Sequence, residues 1–219
     1  MRQFLVRHGE SVSNHEGRVQ GQADIELSPL GHAQARQVAA WCRQFCESTE
    51  AGAIPIGEIW SSPLRRARET ADVIAAAVGR PVMVEERLAE LHAGIFQGHL
   101  WADLESVFPD EVTRWRSGDV DYVIPGGESR AQLATRGRAA LESLASRETP
   151  AMIVVAHGGV LTAALGNMLG REHPLLLAAA ERPFTKLPAL ANCSVTELAW
   201  PGPRLVQFNE TKHLASGGQ

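Results

Sequence analysis

The sequence has 219 residues, of which 44% are hydrophobic and 21% charged, and its formal net charge is −4 at pH 7. A chain of this length and composition can bury a sizeable apolar core by itself, and its mild charge gives no reason to expect nucleic acid or a membrane as a partner. Three cysteines are too few and too irregularly spaced for a disulfide framework, and no signal-peptide or membrane-spanning stretch is present, so we expect a protein of the reducing cytoplasm.

The first half of the chain alternates short apolar runs with amphipathic stretches. Residues 4–6 predict a buried strand, and a polar, glycine-containing loop follows it. Ser28-Pro29 is typical of a helix start, because serine caps free amide groups and proline fits the first turn. The same pair recurs at Ser62-Pro63, where it predicts an amphipathic helix. Apolar runs on either side of that helix predict two more strands, at residues 58–61 and 82–84.

The second half continues this alternation after a mixed segment, residues 91–126, which we interpret as a loop with short helices. Ser129 and Gln132 form a capping box, which predicts the start of a helix. Residues 151–155 are the clearest buried strand, and the apolar stretch 158–169 predicts a buried helix. Two late apolar runs predict the last strands, near residues 194–199 and 205–208.

Strands that alternate with helices predict an α/β fold, here a three-layer α/β/α sandwich with a mainly parallel central sheet. No repeat, low-complexity tract or interdomain linker interrupts the sequence, so we expect residues 1–219 to form a single domain. Ligands of such folds bind beyond the carboxyl ends of the strands. We therefore expect the functional residues at that edge of the sheet.

Two strand ends share one pattern, an apolar run followed by histidine and glycine. These are His8-Gly9 and His157-Gly158, and of the eight histidines only these two have this setting. The glycine lets the backbone turn sharply and approach a ligand. One such histidine alone could simply hydrogen-bond a neighbouring turn, but the repetition favours a shared site. A zinc pair is disfavoured, because no Cys, Asp or His ligands stand at characteristic spacing.

Arginines accompany both histidines. Arg7 directly precedes His8, and Arg65, Arg66 and Arg68 lie on the first turns of the predicted helix after Pro63. A helix N-terminus attracts anions through its free amide groups and its dipole, so arginines there indicate that an external anion binds. The spacing alone slightly favours the alternative, in which these three arginines are solvated surface residues.

Five segments stand in the order of a known family signature. They are Arg7-His8-Gly9-Glu10-Ser11 with Asn14, Leu27-Ser28-Pro29-Leu30-Gly31 with Gln34-Ala35, residues 61–71, Leu88-Ala89-Glu90 with Gly94 and Gly98, and Ala156-His157-Gly158-Gly159. Over about residues 1–170 the chain thus resembles branch 1 of the histidine phosphatase superfamily, the group that contains cofactor-dependent phosphoglycerate mutase. Each motif is weak alone, but their common order makes the resemblance specific.

The resemblance implies a phosphoryl-transfer enzyme with the phosphoglycerate mutase-like fold, which needs neither a metal ion nor a cofactor. It makes His8 the nucleophile that becomes phosphohistidine, and Glu90 the proton donor and acceptor. The residues implied to surround the phosphoryl group are Arg7, Arg66 and His157. Those implied to contact substrate or phosphate are Asn14, Gln20, Gly21 and Gly158.

These implied roles agree with the chemistry of a phosphomonoester. Arginine offers planar paired donors and a charge that does not titrate away, so it can stabilise the transferring group without a metal ion. Imidazole is a competent nucleophile only when neutral, so His8 needs its other ring nitrogen held by a backbone carbonyl. Glu90 must be protonated to assist the leaving alkoxide and then ionised to activate water.

The segment between Glu90 and His157 favours hydrolysis over isomerisation. Phosphoglycerate mutases carry a longer segment there, and Ala93 and Trp101 stand where those enzymes have a tyrosine and a lysine. Residues 125–129, Pro-Gly-Gly-Glu-Ser, are similar instead to an element of the small phosphatases, and they also supply a turn and the helix cap noted above. We therefore predict a phosphatase that hydrolyses small-molecule phosphomonoesters.

The acceptor and the substrate stay open at this point. Arg182 or Lys186 on a later loop could replace the contacts that a mutase needs, and Trp101 and Trp115 either line the entrance or belong to the core. Besides a mutase, the alternatives are a phosphate-binding module without turnover and a plain structural domain. As the partner we expect a small phosphorylated metabolite, with neither nucleic acid nor a membrane involved and with a homodimer also possible.

Overall fold

A six-stranded sheet forms the centre of the computed structural model, which describes residues 1–47, 54–170, 173–174 and 189–217. In chain order its strands are β1 (Arg2–Arg7), β2 (Ile56–Ser61), β3 (Val82–Val84), β4 (Ala151–Ala156), β5 (Val195–Ala199) and β6 (Arg204–Glu210). Their order in the sheet is β3-β2-β4-β1-β5-β6, with β1 to β4 parallel and β5 and β6 antiparallel to their neighbours. The predicted α/β class with a mainly parallel sheet is confirmed, whereas a single domain over residues 1–219 stays a prediction.

The connections between the strands are mostly helical. The helices are α1 (Val12–Glu16), α2 (Pro29–Glu47), α3 (Arg65–Val78), α4 (Leu104–Val107), α5 (Pro109–Arg116), α6 (Arg130–Ala145) and α7 (Gly158–Leu169). Shorter 3₁₀ turns lie at Glu86–Leu88, Gly94–Phe96 and Lys212–Gly217. Within the described part of the chain, no helix has both the length and the apolar character needed to span a membrane.

The two faces of the sheet carry separate apolar cores, because successive residues of a strand point to opposite sides. On β4, Met152 and Val154 pack in one core with α6 and α7, whereas Ile153 and Val155 pack in the other with α2 and α3. All four side chains are fully buried, which is the reason that β4 is an unbroken apolar run. The sheet therefore lies between two helical layers, as the sequence predicted.

A third apolar cluster lies under the segment between β3 and α6. Its buried residues are Val19, Ala93, Phe96, Leu104, Val112, Tyr122 and Ile124. Trp115 packs against this cluster, with Cζ of Arg130 lying 3.5 Å from the centre of its ring. Trp101 is 57% exposed. The predicted loop with short helices is confirmed, and only one of the two tryptophans belongs to a core.

Two local predictions were wrong. The loop after β1 contains the short helix α1, which Ser11 caps by accepting a hydrogen bond from the amide of Asn14 at 3.1 Å. This capping box has asparagine where glutamate or glutamine is usual, so the sequence pattern does not predict it. Ser62 does not cap α3, which begins two residues later than predicted. Its hydroxyl lies 2.6 Å from Nε2 of His157, a long-range contact that no local pattern encodes.

Candidate active site

Strand pairing places the two strand-end histidines side by side. β1 and β4 are parallel neighbours with Arg7 opposite Ala156, so the residues that follow both strands leave the sheet at the same edge. The rings of His8 and His157 have centroids 5.0 Å apart and planes inclined at 61°. Both side chains are buried. The structure thus brings together, at the carboxyl ends of the strands, the two histidines that the sequence singled out.

The backbone next to His8 determines the tautomer of its ring. Nδ1 lies 2.6 Å from the carbonyl oxygen of Gly9. Because a carbonyl oxygen can only accept, Nδ1 carries the proton and Nε2 keeps its electron pair. Burial and the nearby guanidinium groups of Arg66 and Arg7 hold the pKa of His8 well below its usual value. The ring is therefore neutral, with the geometry that a nucleophile requires.

Arg66 is fully buried, whereas its neighbour Arg65 is exposed. Two nitrogens of the Arg66 guanidinium donate to the carbonyl oxygens of Ala23 and Gly21, each at 2.9 Å. Its Nε lies 3.3 Å from Nε2 of His8. Burial lowers the pKa of Arg66 to about 10, so the group stays charged at neutral pH. The structure thus distinguishes two arginines that the spacing of the sequence left equivalent.

Two nitrogen atoms of this cluster, Nε of Arg7 and Nδ1 of His157, are buried and have no hydrogen-bond partner among the described residues. Arg7 is anchored through another nitrogen, which donates to the carbonyl of Leu190, and burial lowers its pKa. His157 is anchored at Nε2 by Ser62, and burial together with the charge of Arg66 holds its pKa well below the usual value. Buried polar groups are nearly always paired, so these two atoms indicate a polar ligand.

Glu90 precedes α7 in the chain, and its carboxylate packs against the N-terminal turn of that helix. Its oxygens accept hydrogen bonds from the amides of Gly159 and Val160 at 2.9 and 3.0 Å. A helix N-terminus offers free amide groups and a favourable dipole to an anion. The charge of Glu90 also partly offsets the effect of burial on the pKa values of Arg7 and Arg66. The carboxylate thus belongs to the same electrostatic cluster as the two arginines.

The glycines predicted to contact phosphate lie directly against these arginines. Gly21 accepts from Arg66 through its carbonyl and has a φ of 53°, in the region that favours glycine. A Cβ atom on Gly158 would lie 3.4 Å from Nε of Arg7. A larger residue at Gly21 would therefore strain the backbone, whereas a Cβ atom at Gly158 would make only an ordinary van der Waals contact with Arg7.

The two polar residues predicted to contact substrate, Asn14 and Gln20, share a partner in Ser11. Oδ1 of Asn14 accepts from the Ser11 amide at 3.3 Å, and Oε1 of Gln20 accepts from the Ser11 hydroxyl at 2.6 Å. A residue that the sequence did not indicate also joins them. Nδ2 of Asn192 donates to the carbonyl of His8 at 3.0 Å and lies 3.4 Å from Oδ1 of Asn14. Because Asn192 and His8 are 184 positions apart, only the fold reveals this contact.

The comparison with protein families agrees with this geometry. The family described as "Histidine phosphatase superfamily (branch 1)" matches residues 3–211. The chain belongs to this superfamily. The family that the sequence motifs indicated is therefore confirmed, whereas the catalytic and binding roles of individual residues stay predictions.

Other members of the superfamily include both phosphatases and a probable mutase. The probable phosphoglycerate mutase GpmB of Escherichia coli O1:K1 is 37% identical over 221 residues, which cover 98% of this chain and 88% of that protein. The structure of mycobacterial glucosyl-3-phosphoglycerate phosphatase with VO3 is 32% identical with a TM-score of 0.74, covering 96% of this chain and 99% of that one. Phosphoserine phosphatase from Entamoeba histolytica with 3-phosphoglyceric acid is 28% identical with a TM-score of 0.76, covering 97% and 98%.

Ala93 and Trp101 stand at the two positions where the family resemblance leads us to expect a tyrosine and a lysine in a mutase. Ala93 is buried in the third apolar cluster, and Trp101 is mostly exposed. Neither side chain can supply a phenol hydroxyl or an ammonium group. Arg182 and Lys186, the other candidates for such contacts, lie outside the described residues.

Ser62 and Gly159 stand inside the superfamily motifs, but their particular contacts became visible only in the structure. Ser62 forms a hydrogen bond with the ring of His157, and a Cβ atom on Gly159 would lie 2.3 Å from an oxygen of Glu90.

Across residues 1–47, 54–170, 173–174 and 189–217, no group of three or more histidine, cysteine, aspartate or glutamate side chains is placed to hold a metal ion.

Proposed function

We propose that this chain is a metal-independent phosphatase that hydrolyses small phosphomonoesters through a phosphohistidine at His8. The observation that carries the proposal is the setting of the buried His8 ring, whose Nδ1 lies 2.6 Å from the carbonyl oxygen of Gly9 and whose Nε2 lies 3.3 Å from Nε of Arg66. A neutral imidazole can attack phosphorus, while the neighbouring cation attracts the phosphate and disperses its charge in the transition state.

In the first half-reaction Nε2 of His8 bonds to phosphorus, and the bond from phosphorus to the alcohol oxygen breaks. Protonated Glu90 gives its proton to that oxygen, so the alcohol leaves as a neutral molecule. The unpartnered Nε of Arg7 and Nδ1 of His157 would donate to the phosphoryl oxygens. Ser62 supports the required tautomer of His157, because its hydroxyl can donate to Nε2 at 2.6 Å and leave the proton on Nδ1.

In the second half-reaction water attacks the phosphorus, and the bond from phosphorus to His8 breaks. The Glu90 carboxylate takes a proton from that water, which returns Glu90 to its protonated form and releases inorganic phosphate. Between the two steps Glu90 is ionised. The amides of Gly159 and Val160 would stabilise that charge, because they donate directly to the carboxylate.

Water is proposed as the acceptor because Ala93 and Trp101 lack the polar groups found at the corresponding mutase positions. The similarity to two phosphatases of known structure supports this choice, and the similarity to the probable mutase GpmB supports the alternative. The substrates named for relatives, phosphoserine and glucosyl-3-phosphoglycerate, are the first that we would test.

The proposal is tested by following phosphate release from an aryl phosphate and from those two substrates, with and without excess chelator. We expect turnover that chelator leaves unchanged. A rate that chelator abolishes and a divalent ion restores would overturn the metal-free mechanism. Binding of phosphate without any release from a broad set of phosphomonoesters would instead indicate a binding module.

The covalent step is tested by mass spectrometry after a rapid quench that avoids acid. We expect an acid-labile phosphoryl group on the peptide that contains His8. His8→Ala should remove both this adduct and nearly all turnover, whereas His32→Ala, which changes an exposed histidine on α2, should remove neither. A phosphoryl group on His157 in the unmodified enzyme would refute the assignment.

A further inference from the structure

Arg136 on α6 binds the backbone that leads to Glu90. Its Nη1 donates to the carbonyl oxygen of Arg87 at 2.9 Å and also to that of Ala89. Its Nη2 donates to the carbonyl oxygen of Glu90 itself at 2.8 Å. One planar guanidinium group thus fixes three peptide units of the short segment that carries the carboxylate.

Glu128, from the Pro-Gly-Gly-Glu-Ser element, completes this arrangement. Its two carboxylate oxygens accept from Nη2 and Nε of Arg136 at 2.6 and 3.0 Å, in a two-pronged ion pair. It also binds the segment beyond Glu90, because Oε1 accepts from the amide of His92 at 2.8 Å and the Glu128 amide donates to the His92 carbonyl at 3.0 Å. The pair therefore holds the chain on both sides of Glu90.

The side chain of Glu90 cannot easily compensate for a shift of its own backbone, because hydrogen bonds fix the position of its carboxylate. Its carboxylate is held by the amides of Leu91, Gly159 and Val160, two of which belong to the first turn of α7. The distance between this turn and the backbone of Glu90 determines where the carboxylate lies. A displacement of about 1 Å in a catalytic group can lower a rate by about 100-fold.

We propose that Arg136 and Glu128 are positioning residues that place the Glu90 carboxylate for proton transfer. The proposal rests on the role given to Glu90 in the proposed function. It assigns to the Pro-Gly-Gly-Glu-Ser element a task in the reaction beyond its turn and helix cap. Arg136 acts through the backbone and through Glu128, and it need not touch the substrate.

The first test compares two substrates in Arg136→Lys. Lysine keeps the charge but lacks the planar fork that reaches three carbonyls and a carboxylate at once. An aryl phosphate with a good leaving group needs little help from an acid, whereas an alkyl phosphate needs a proton from Glu90. We expect kcat/KM to fall by about 10- to 100-fold for the alkyl ester and by less than about 3-fold for the aryl ester. Arg138→Lys, an exposed position on the same helix paired with Glu142, is the matched control and should change neither value.

The second test asks whether Arg136 acts through Glu90. Adding Arg136→Lys to Glu90→Gln should lower kcat/KM for the alkyl ester no further than Glu90→Gln does alone, because the group to be positioned is already inactive. Glu128→Gln, which keeps the size of the side chain, should show the same substrate dependence if Arg136→Lys folds poorly. Equal losses for both substrates, or fully additive losses in the double variant, would overturn the proposal.

A third measurement does not depend on turnover. Hydrogen exchange of the Leu91 and Val160 amides, which donate to the Glu90 carboxylate, should become faster in Arg136→Lys and Glu128→Gln while the strands of the sheet stay protected. If the unmodified chain releases no phosphate from any substrate, the proposed function fails, yet faster exchange at these amides would still support the positioning role. Unchanged exchange in both variants would contradict it.

Discussion

Nε of Arg66 lies 3.3 Å from Nε2 of His8, and both side chains are buried. A fixed positive charge so close to the ring disfavours a second proton on it, so the histidine keeps the electron pair that a nucleophile needs. The same charge attracts a phosphate dianion to that electron pair. The carbonyl groups of Gly21 and Ala23 hold the guanidinium in this position before any substrate arrives.

We expect Arg66→Lys to lower kcat/KM for an aryl phosphate by about 100- to 1,000-fold, the loss typical for one preorganised donor in a transition state. Lysine keeps a positive charge, but its single ammonium group cannot donate to the carbonyl oxygens of Gly21 and Ala23 and also lie beside His8. Arg65→Lys, at the exposed neighbouring position, should stay within about 3-fold of the unmodified protein, because surface arginines contribute little. If the two variants lost similar activity, the claim that the buried Arg66 acts in the reaction and the exposed Arg65 does not would be wrong.

The free energy of unfolding should depend on pH because His8 and His157 are buried and neutral. Their pKa values in the folded protein lie well below the 6.5 of an exposed histidine. The unfolded chain therefore binds more protons in acid, and stability falls as pH drops below about 6.5, by up to about 1.4 kcal/mol per pH unit for each histidine until its folded pKa is reached. Above that pH these two groups add no dependence.

Urea unfolding between about pH 5 and pH 8 measures this effect. The slope of stability against pH should shrink in the double variant His8→Asn with His157→Asn, whatever that variant loses in absolute stability. His32→Asn alters an exposed histidine and should keep the slope of the unmodified protein. An unchanged slope in the double variant would show that other groups determine the acid sensitivity.

Gly159→Ala should lower activity by displacing the carboxylate of Glu90, because the added Cβ atom would lie 2.3 Å from Oε1. For an alkyl phosphate, whose leaving group needs a proton from Glu90, we expect kcat/KM to fall by about 10- to 100-fold. Gly166→Ala on the same helix meets no atom within 4 Å and should leave kcat/KM unchanged. It should also stabilise the fold by up to about 1 kcal/mol, since alanine favours a helix over glycine. Full activity in Gly159→Ala would argue against a fixed position for Glu90.

Hydrolysis should exceed isomerisation by orders of magnitude, because Ala93 and Trp101 lack the phenol hydroxyl and the ammonium group that we expect a mutase to use in holding its intermediate. The protein is incubated with 3-phosphoglycerate and a bisphosphoglycerate primer, and 2-phosphoglycerate and free phosphate are followed together. Phosphate release from the preferred phosphomonoester is then compared with the rate of isomerisation. Isomerisation faster than all measurable hydrolysis would place the chain with the mutases.

Much of this protein follows from local patterns in its sequence. The strands were predicted from short apolar runs, because both faces of the central strands are buried. The long helices were predicted from apolar residues that recur every three or four positions. The strand, histidine and glycine pattern at His8 and His157 indicated one shared site, since parallel strands end at the same edge of a sheet. Family resemblance, and not spacing, singled out Arg66 and Glu90.

Only the tertiary structure decided the contacts between residues that are distant in the chain. It pairs Ser62 with His157, Asn192 with the backbone of His8, and Arg136 with the segment around Glu90. It also buries Arg66 and exposes Arg65, although both stand on the first turn of one helix. The pattern of apolar residues that marks a helix or strand lies among residues that are close in the chain, so the sequence shows it directly. The direction of one side chain toward a remote partner depends on how whole elements pack, and that is determined only when the chain is folded.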